Sequence, residues 1–164
     1  MPVPEAEARV GALRAALDPA ATLGVPAHVT IMFPFVPPDR LDDGVLTALG
    51  EVLAGAPPFE VEFARISWFE DVVWWAPEPA APFVALTRAV GDRFGLEPYE
   101  GAYAGAVPHL TIGHGAPMDR MRAAEAEVAA GPPLRTSVRS ALLMTGSRAA
   151  GSWTTVAELP LGGE

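Results

Sequence analysis

In residues 27–31, Ala-His-Val-Thr-Ile, and again in residues 108–112, Pro-His-Leu-Thr-Ile, the chain repeats one short pattern. Successive side chains of a β-strand point to opposite faces, so His28 and Thr30 share one face and the aliphatic residues share the other. The same holds for His109 and Thr111. The sequence therefore predicts two matched strands, each with an imidazole and a hydroxyl on one face and an aliphatic surface for the core on the other.

These residue types suit proton transfer to and from a phosphoester. Histidine, with an ordinary pKa of ~6.5, can hold either protonation state near neutrality. One neutral and one cationic imidazole on opposite sides of phosphorus would serve an in-line displacement, and threonine hydroxyls would donate to the nonbridging oxygens. The residues do not say whether His28 or His109 is the base. The alternative is that both histidines only satisfy structural hydrogen bonds.

Composition limits the classes of function that the chain can serve. Its 164 residues have the length of one domain with a real core, and the absence of cysteine excludes disulfides, thiol nucleophiles and cysteine zinc sites. All eleven basic residues are arginine, which excludes a P-loop lysine, a Schiff base and a lysine adenylate. The net charge of −9 favours small anionic substrates over nucleic-acid duplexes.

The sequence also bears on location and partners. Residues 1–5 lack the basic and apolar regions of a signal peptide, and no apolar run approaches the ~18 residues of a membrane span. We therefore expect a cytoplasmic monomer that binds neither membranes nor duplex nucleic acid. Three scattered histidines, with no His-Glu-x-x-His motif, predict neither a metal site nor a cofactor.

Hydrophobic periodicity predicts the same order of elements in both halves of the chain. For the first half it predicts a helix over 5–17, the motif strand over 28–35, a helix from 42 or 43 to 54, strands around 59–63 and 72–76, and a helix over 82–94. For the second half it predicts the motif strand over 109–114, a helix over 117–130, a strand over 134–145, a hairpin turn over 146–151 and a strand over 152–159. The shared order indicates an internal duplication about a pseudo-twofold axis.

Other residues are weaker candidates for substrate contacts. Tyr103, in a segment before His109, could stack on a base as part of a flap or lie in a plain surface loop. Arg148, in the last hairpin, could offer a guanidinium to a phosphate or be a solvated turn residue. His114 falls on the opposite strand face from His109, or just beyond the strand end, which predicts a structural role. One of the four tryptophans could line a cleft.

With both motifs in this spacing and order, the chain resembles the 2H phosphoesterase superfamily, especially its 2′-5′ RNA ligase-like and cyclic phosphodiesterase branch. The resemblance covers about residues 20–160 and rests on the two motifs, the extended block over 26–35, the strand over 72–77 and Trp153. It implies one α+β domain over residues 1–164, with two pseudo-symmetric lobes, two antiparallel sheets flanked by helices and a central cleft.

The resemblance also implies a function. His28 and His109 would face each other in the cleft as catalytic residues, and Thr30 and Thr111 would bind the phosphate. The reaction implied is the metal-independent opening of 2′,3′-cyclic phosphates of nucleotides or RNA ends. The alternatives are a 2′-5′ RNA ligase or 2′-5′ oligonucleotide phosphodiesterase, and a noncatalytic nucleotide-binding module. A basic stripe beside the cleft would favour RNA, whereas an acidic rim would favour a small substrate.

Overall fold

The chain folds as an α+β structure with two antiparallel β-sheets, in a computed structural model that describes residues 1–102 and 105–162. The helices are α1 (Glu7–Leu17), α2 (Pro19–Thr22), α3 (Asp43–Ala54), α4 (Ala81–Phe94) and α5 (Met118–Ala129). The strands are β1 (Phe59–Trp68), β2 (Val72–Glu78), β3 (Leu110–His114), β4 (Leu134–Val138), β5 (Ser140–Thr145) and β6 (Thr154–Pro160). One sheet has the order β3-β2-β1-β4, and β5 pairs with β6 in the other.

The core that supports the second motif lies between α1 and the larger sheet. α1 buries Val10 and Leu17, and β3 buries Leu110 and Ile112. Burial of each such side chain contributes about 1.5–3 kcal/mol. α1 also approaches β3 closely at Gly113, where a Cβ atom would stand 3.1 Å from the Cβ of Leu17. The aliphatic positions of the second motif therefore anchor the strand that follows His109.

Two helix boundaries follow from local chemistry, as the sequence predicts. The side chain of Asp42 accepts a hydrogen bond from the backbone N–H of Val45 at 2.9 Å, which satisfies a free donor at the start of α3. Gly95 ends α4 with a φ of 67°, in the left-handed region where a side chain is disfavoured. Both predictions are confirmed.

The predicted strand over 28–35 is wrong in extent. The first motif forms only an isolated bridge, between Pro2 and His28. The backbone N–H of Val29 donates to the Met1 carbonyl at 2.9 Å, so the residues around His28 pair with the first residues of the chain. Proline lacks an N–H, and the prolines at positions 34, 37 and 38 leave no continuous ladder beyond this point.

The predicted strand over 134–145 is two strands rather than one. It breaks at Arg139, whose carbonyl accepts a hydrogen bond from the N–H of Leu161 at 2.8 Å. Before the break, β4 pairs with β1 in the larger sheet; after it, β5 pairs with β6. Residues 134–145 therefore belong to two different sheets. The alternation of apolar and polar residues does not show where the chain passes from one sheet to the other.

The two halves of the chain exchange contacts around the motifs. β1 and β2 follow the first motif in sequence, yet β2 pairs with β3, the strand of the second motif. Conversely, the N–H of Trp153, just before β6, donates to the Leu23 carbonyl at 2.9 Å, a few residues ahead of the first motif. The duplication itself stays a prediction. No helix in residues 1–102 or 105–162 has the length and apolar composition needed to cross a membrane.

Candidate active site

One recess in the surface is lined by residues of both motifs. Thr30 comes from the first motif and His109 from the second. Its enclosed volume is about 20 Å³, which holds roughly one water molecule. A larger ligand would therefore lie across the mouth of this recess. Other lining residues include Phe33, Thr87, Tyr99 and Val107.

Both motif histidines are held in the same tautomer by the same local contact. His28 Nδ1 lies 2.7 Å from the carbonyl oxygen of Pro26, and His109 Nδ1 lies 2.7 Å from that of Val107. A carbonyl can only accept, so each Nδ1 carries the proton and donates it. In the neutral imidazoles Nε2 is then the acceptor. His28 Nε2 lies 3.0 Å from Thr30 Oγ1, whose hydroxyl donates to it.

The surroundings favour the neutral form of both imidazoles. Burial lowers the pKa of His28 to about 3; the positive charge of the N-terminus and, less strongly, that of Arg14 act in the same direction, and the Pro26 carbonyl opposes them. Burial also lowers the pKa of His109, although the Val107 carbonyl opposes that effect.

A buried ion pair supports the backbone that leads to His28. The Arg14 guanidinium donates to the Asp18 carboxylate, with Nη2 to Oδ2 at 2.9 Å, and both side chains are almost fully buried. Arg14 Nη2 also donates to the Val25 carbonyl at 3.2 Å, and the Glu7 carboxylate accepts from the N–H of Ala27 at 2.6 Å. Helix α1 thus fixes residues on either side of the proline whose carbonyl orients His28.

Two further contacts fix the backbone after the first motif. The hydroxyl of Thr87, on α4, donates to the Ile31 carbonyl at 3.0 Å. The N–H of Tyr99 donates to the Phe33 carbonyl at 2.6 Å. Tyr99 and Glu100 have φ values of 53° and 56°, in the left-handed region that non-glycine residues seldom occupy. Such backbone conformations cluster at ligand-binding segments, and this one borders the recess.

Two aromatic rings, those of Phe69 and Trp74, pack next to His109 of the second motif. Thr111 pairs with Trp74 across β3 and β2, which places both side chains on the face that also carries His109. The Trp74 ring lies 5.9 Å from the His109 ring, and the Phe69 ring lies 5.1 Å from it at 90°. Phe69 also stacks on Trp74 at 4.9 Å. The indole and the phenyl ring therefore limit the orientations open to His109.

A β-bulge brings the third histidine to the same face, contrary to the sequence prediction. Trp74 pairs with Thr111 and the preceding Val73 pairs with Gly113, so β3 carries one extra residue, Ile112. Beyond the bulge His114 pairs with Val72 and returns to the face of Thr111. Its Nε2 lies 3.7 Å from an oxygen of Asp71. Alternation along the strand predicts the opposite face because it assumes an unbroken ladder.

The weaker candidates have different outcomes. Tyr103 lies outside the described residues. Arg148 lies in the exposed turn before β6 and does not line the recess. That turn is attached to the site, because Trp153 Nε1 donates to the Ser147 carbonyl at 3.0 Å and its ring lies 6.1 Å from the Phe33 ring. In the described part of the chain, no group of three or more His, Asp or Glu residues is arranged to hold a metal ion.

Sequence reasoning missed Phe69 and Thr87, which lie far from both motifs in the sequence, and it favoured Tyr103 over Tyr99 within the segment before His109. Trp74 was one of four tryptophans that the sequence could not distinguish. Its position directly across from Thr111 depends on the strand register, which no local pattern specifies. The Thr87 hydroxyl carried no signal at all, because a threonine within an amphipathic helix is common.

The α+β fold brings Thr30 of the first His-x-Thr motif and His109 of the second to one recess, whereas His28 and Thr111 do not line it. The family model of the 2′-5′ RNA ligase superfamily matches residues 2–150, and the chain belongs to that superfamily. A search of curated proteins finds no significant match. The resemblance predicted from the two motifs is confirmed.

Solved structures share the fold over nearly their whole length. E. coli LigT in its apo form has a TM-score of 0.62 at 18% identity, over 99% of this chain and 94% of that chain. TT0787 of Thermus thermophilus has a TM-score of 0.64 at 21% identity, over 99% and 95%. A protein described as a phosphoesterase has a TM-score of 0.60 at 16% identity, over 99% and 95%. The TM-scores establish a common fold, and at identities this low the similarity shows the fold alone. Membership of the superfamily supports phosphoesterase-type activity.

Proposed function

We propose that this protein hydrolyses 2′,3′-cyclic phosphates of nucleotides or RNA ends, with His28 and His109 as general base and general acid and without a metal ion. The observation that carries the proposal is that Thr30 and His109, one from each motif, line a single recess. The two Nδ1 contacts with backbone carbonyls support it, because they make Nε2 the accepting atom of each imidazole, although Nε2 of His28 takes the Thr30 hydroxyl as its donor until that hydroxyl turns to a phosphate. One domain of two similar lobes, each with one motif, belongs to the same proposal.

In the proposed mechanism, one imidazole removes a proton from water as the water oxygen attacks phosphorus. The bond from phosphorus to one ribose oxygen breaks, and that oxygen takes a proton from Nε2 of the other imidazole. Each proton transfer contributes about 10²–10⁴-fold to the rate. When the phosphate binds, the Thr30 hydroxyl turns from His28 Nε2 to a nonbridging oxygen, which frees this Nε2 for proton transfer. The Thr111 hydroxyl donates to the other nonbridging oxygen, and negative charge builds up on both oxygens.

We assign the base to His28 and the acid to His109. Burial lowers the pKa of His28 to about 3, so this imidazole is neutral across the physiological range, as a base must be before the reaction begins. Its Nε2 already accepts a hydrogen bond, from Thr30. The acid must be protonated when the reaction begins, and an anionic phosphate next to His109 stabilises its cationic form.

A 2′-5′ RNA ligase or 2′-5′ oligonucleotide phosphodiesterase is the second candidate. The superfamily to which the chain belongs carries the ligase name. LigT, which shares the fold, has been crystallised with 3′-AMP and with ATP. Attack by a ribose hydroxyl instead of water needs the same acid and base, so the proposed site serves either reaction. A noncatalytic nucleotide-binding module is the third reading and predicts binding without turnover.

The test is hydrolysis of the four nucleoside 2′,3′-cyclic monophosphates in EDTA, with the 2′- and 3′-phosphate products separated. We expect turnover by the natural protein and losses of at least about 100-fold in His28→Ala and in His109→Ala. Unchanged turnover in either variant would exclude the two-histidine mechanism. Binding of a nucleotide with no turnover would favour the noncatalytic module.

A matched control separates loss of a site hydroxyl from loss of any threonine. Thr154→Val changes an exposed threonine on β6, whereas Thr111→Val removes the hydroxyl beside His109. Only Thr111→Val is expected to lower kcat/KM. Far-ultraviolet circular dichroism and thermal unfolding of every variant would confirm that each one folds.

A further inference from the structure

Carboxylates stand beside the second motif. Glu70 and Asp71 form the exposed turn between β1 and β2, directly after Phe69, whose ring contacts His109. An oxygen of Asp71 lies 3.7 Å from His114, which the bulge turns to the face of His109. The N–H of Gly115 donates to the Asp71 backbone carbonyl at 2.9 Å, so this turn is fixed next to the motif strand.

A second pair of carboxylates stands beside the first motif. Glu97 and Glu100 are exposed, and the two residues between them, Pro98 and Tyr99, line the recess. The hydrogen bond from the Tyr99 N–H to Phe33 holds this segment against the first motif. Acidic side chains therefore border the two motifs on separate segments of the chain.

No arginine of the described residues lines the recess. Arg14, whose charge acts on His28, is 2% exposed and engaged with Asp18, so it cannot meet a substrate. Arg148 lies in an exposed turn outside the recess. A polyribonucleotide carries a phosphate at every nucleotide and binds through several cationic contacts. The proposed site offers threonine hydroxyls and imidazoles to a single phosphate. The charged side chains next to it are carboxylates, which repel further phosphates.

Exposed aromatic rings stand at the recess and beside His109. Phe33, 48% exposed, lines the recess and contacts the Trp153 ring. Phe69, 38% exposed, stacks on Trp74 beside His109. Large apolar side chains exposed at a concave site mark a binding surface. A nucleobase can stack on such a ring whatever its sequence context.

We infer that the substrate of this site is a cyclic phosphate with one flat aromatic base and no further phosphates, and that the carboxylate rim disfavours longer RNA. The rim is defined as Glu70, Asp71, Glu97 and Glu100. This inference rests on the proposed function, because it concerns the substrate of the same site. The base stacks on Phe33 or Phe69, the cyclic phosphate meets the two motifs, and each additional phosphate would approach the rim and be repelled.

The first experiment compares kcat/KM for adenosine 2′,3′-cyclic monophosphate and for an oligoadenylate that ends in the same cyclic phosphate. We expect the mononucleotide to be favoured by at least about tenfold at low salt. The preference should shrink in high salt, because salt screens repulsion between exposed charges. A preference of the natural protein for the oligonucleotide would overturn the inference.

The second experiment neutralises the rim. The double variants E70Q/D71N and E97Q/E100Q should each raise kcat/KM for the oligonucleotide about three- to tenfold and change that for the mononucleotide by less than about twofold. The matched control E51Q/E127Q changes the net charge equally but alters exposed carboxylates on α3 and α5. An equal gain in the control, or no gain in the rim variants, would contradict the inference.

The third experiment tests the aromatic contact. Phe33→Ala should raise KM for adenosine 2′,3′-cyclic monophosphate by about tenfold, within the range that loss of one base–aromatic stack produces. It should hardly change the KM for ribose 2′,3′-cyclic phosphate, which has no base. Phe69→Ala receives the same comparison. If neither variant raises KM for the nucleotide more than it raises KM for ribose 2′,3′-cyclic phosphate, neither ring stacks on the base and the inference is contradicted.

The outcomes separate the two proposals. If the natural protein turns over neither nucleotide substrate, the proposed function fails and the inference fails with it. If it turns over both and the oligonucleotide is better, or the rim variants behave like E51Q/E127Q, the inference alone fails.

Discussion

The half-buried histidine of the first motif, His28, should make the stability of the protein fall as the solution becomes acidic. Burial lowers the pKa of His28 from 6.5 to about 3 in the folded state. In the unfolded chain the same imidazole is protonated as the pH falls through 6.5, while in the folded protein it stays neutral. The unfolded state then binds more protons, and the free energy of unfolding decreases between pH 6.5 and pH 3.

The size of this effect follows from the two pKa values. Between pH 7.5 and pH 5, preferential protonation of the unfolded imidazole lowers the free energy of unfolding by about 2 kcal/mol. The size of this change depends on the pKa of His28 in the unfolded chain, because the folded-state pKa of about 3 lies well below the range from pH 7.5 to pH 5. His28→Gln has no titrating group at this position, so it should lack this part of the pH dependence.

The assay is urea unfolding of the natural protein and of His28→Gln at several pH values from 7.5 to 5. Other titrating groups contribute equally to both proteins and cancel in the difference. The stability advantage of the natural protein over the variant should therefore decrease by about 2 kcal/mol across this range. A constant difference would refute the reasoning, because it would mean that His28 is protonated as readily in the folded state as in the unfolded one.

Further predictions follow from the same contacts. Burial lowers the pKa of His109 below 6.5, so kcat/KM should increase as the pH falls from 8 toward 6 and should level off once this acid is protonated. A profile of kcat/KM that rises toward pH 8 would contradict this assignment. In steady-state assays, Thr30→Val and Thr111→Val should each lower kcat/KM by about 10- to 100-fold. This factor corresponds to the free energy that one hydrogen bond to a charged group contributes. Arg14→Met should lower the free energy of unfolding by about 3–5 kcal/mol, because it removes the cation that pairs with the buried Asp18 carboxylate. In urea unfolding, the double variant Arg14→Met/Asp18→Leu should recover much of that loss.

Local signals in the sequence predicted most of the helices and strands. The cap formed by Asp42 and the left-handed Gly95 have chemistry that acts within one turn, so their effects are visible in the sequence. The extent of the first motif strand was not visible. It depends on pairing with residues near Met1 and on where the following prolines interrupt hydrogen bonding.

The candidate site shows the same division between local and distant causes. His109 and Thr111 share a face because of strand geometry alone, which the sequence predicts. The position of His114 depends on the bulge at Ile112, and the rings next to His109 depend on the register between β2 and β3. Register and bulges arise from how two distant segments fit together, so a pattern read along one segment misses them.

The exchange of contacts between the two halves has a consequence for cutting the chain. The strand after His109 pairs with β2, which lies far before it in the sequence, and the segment before His28 bonds to residues near Trp153. Separated from the first half, the second half loses the strand that pairs with the strand after His109, whereas the first half keeps the bridge from His28 to Pro2 and loses the contacts near Trp153. Two fragments cleaved between β2 and β3 would have to reassociate before His109 returned to its native surroundings, so recovered activity would measure fragment complementation directly.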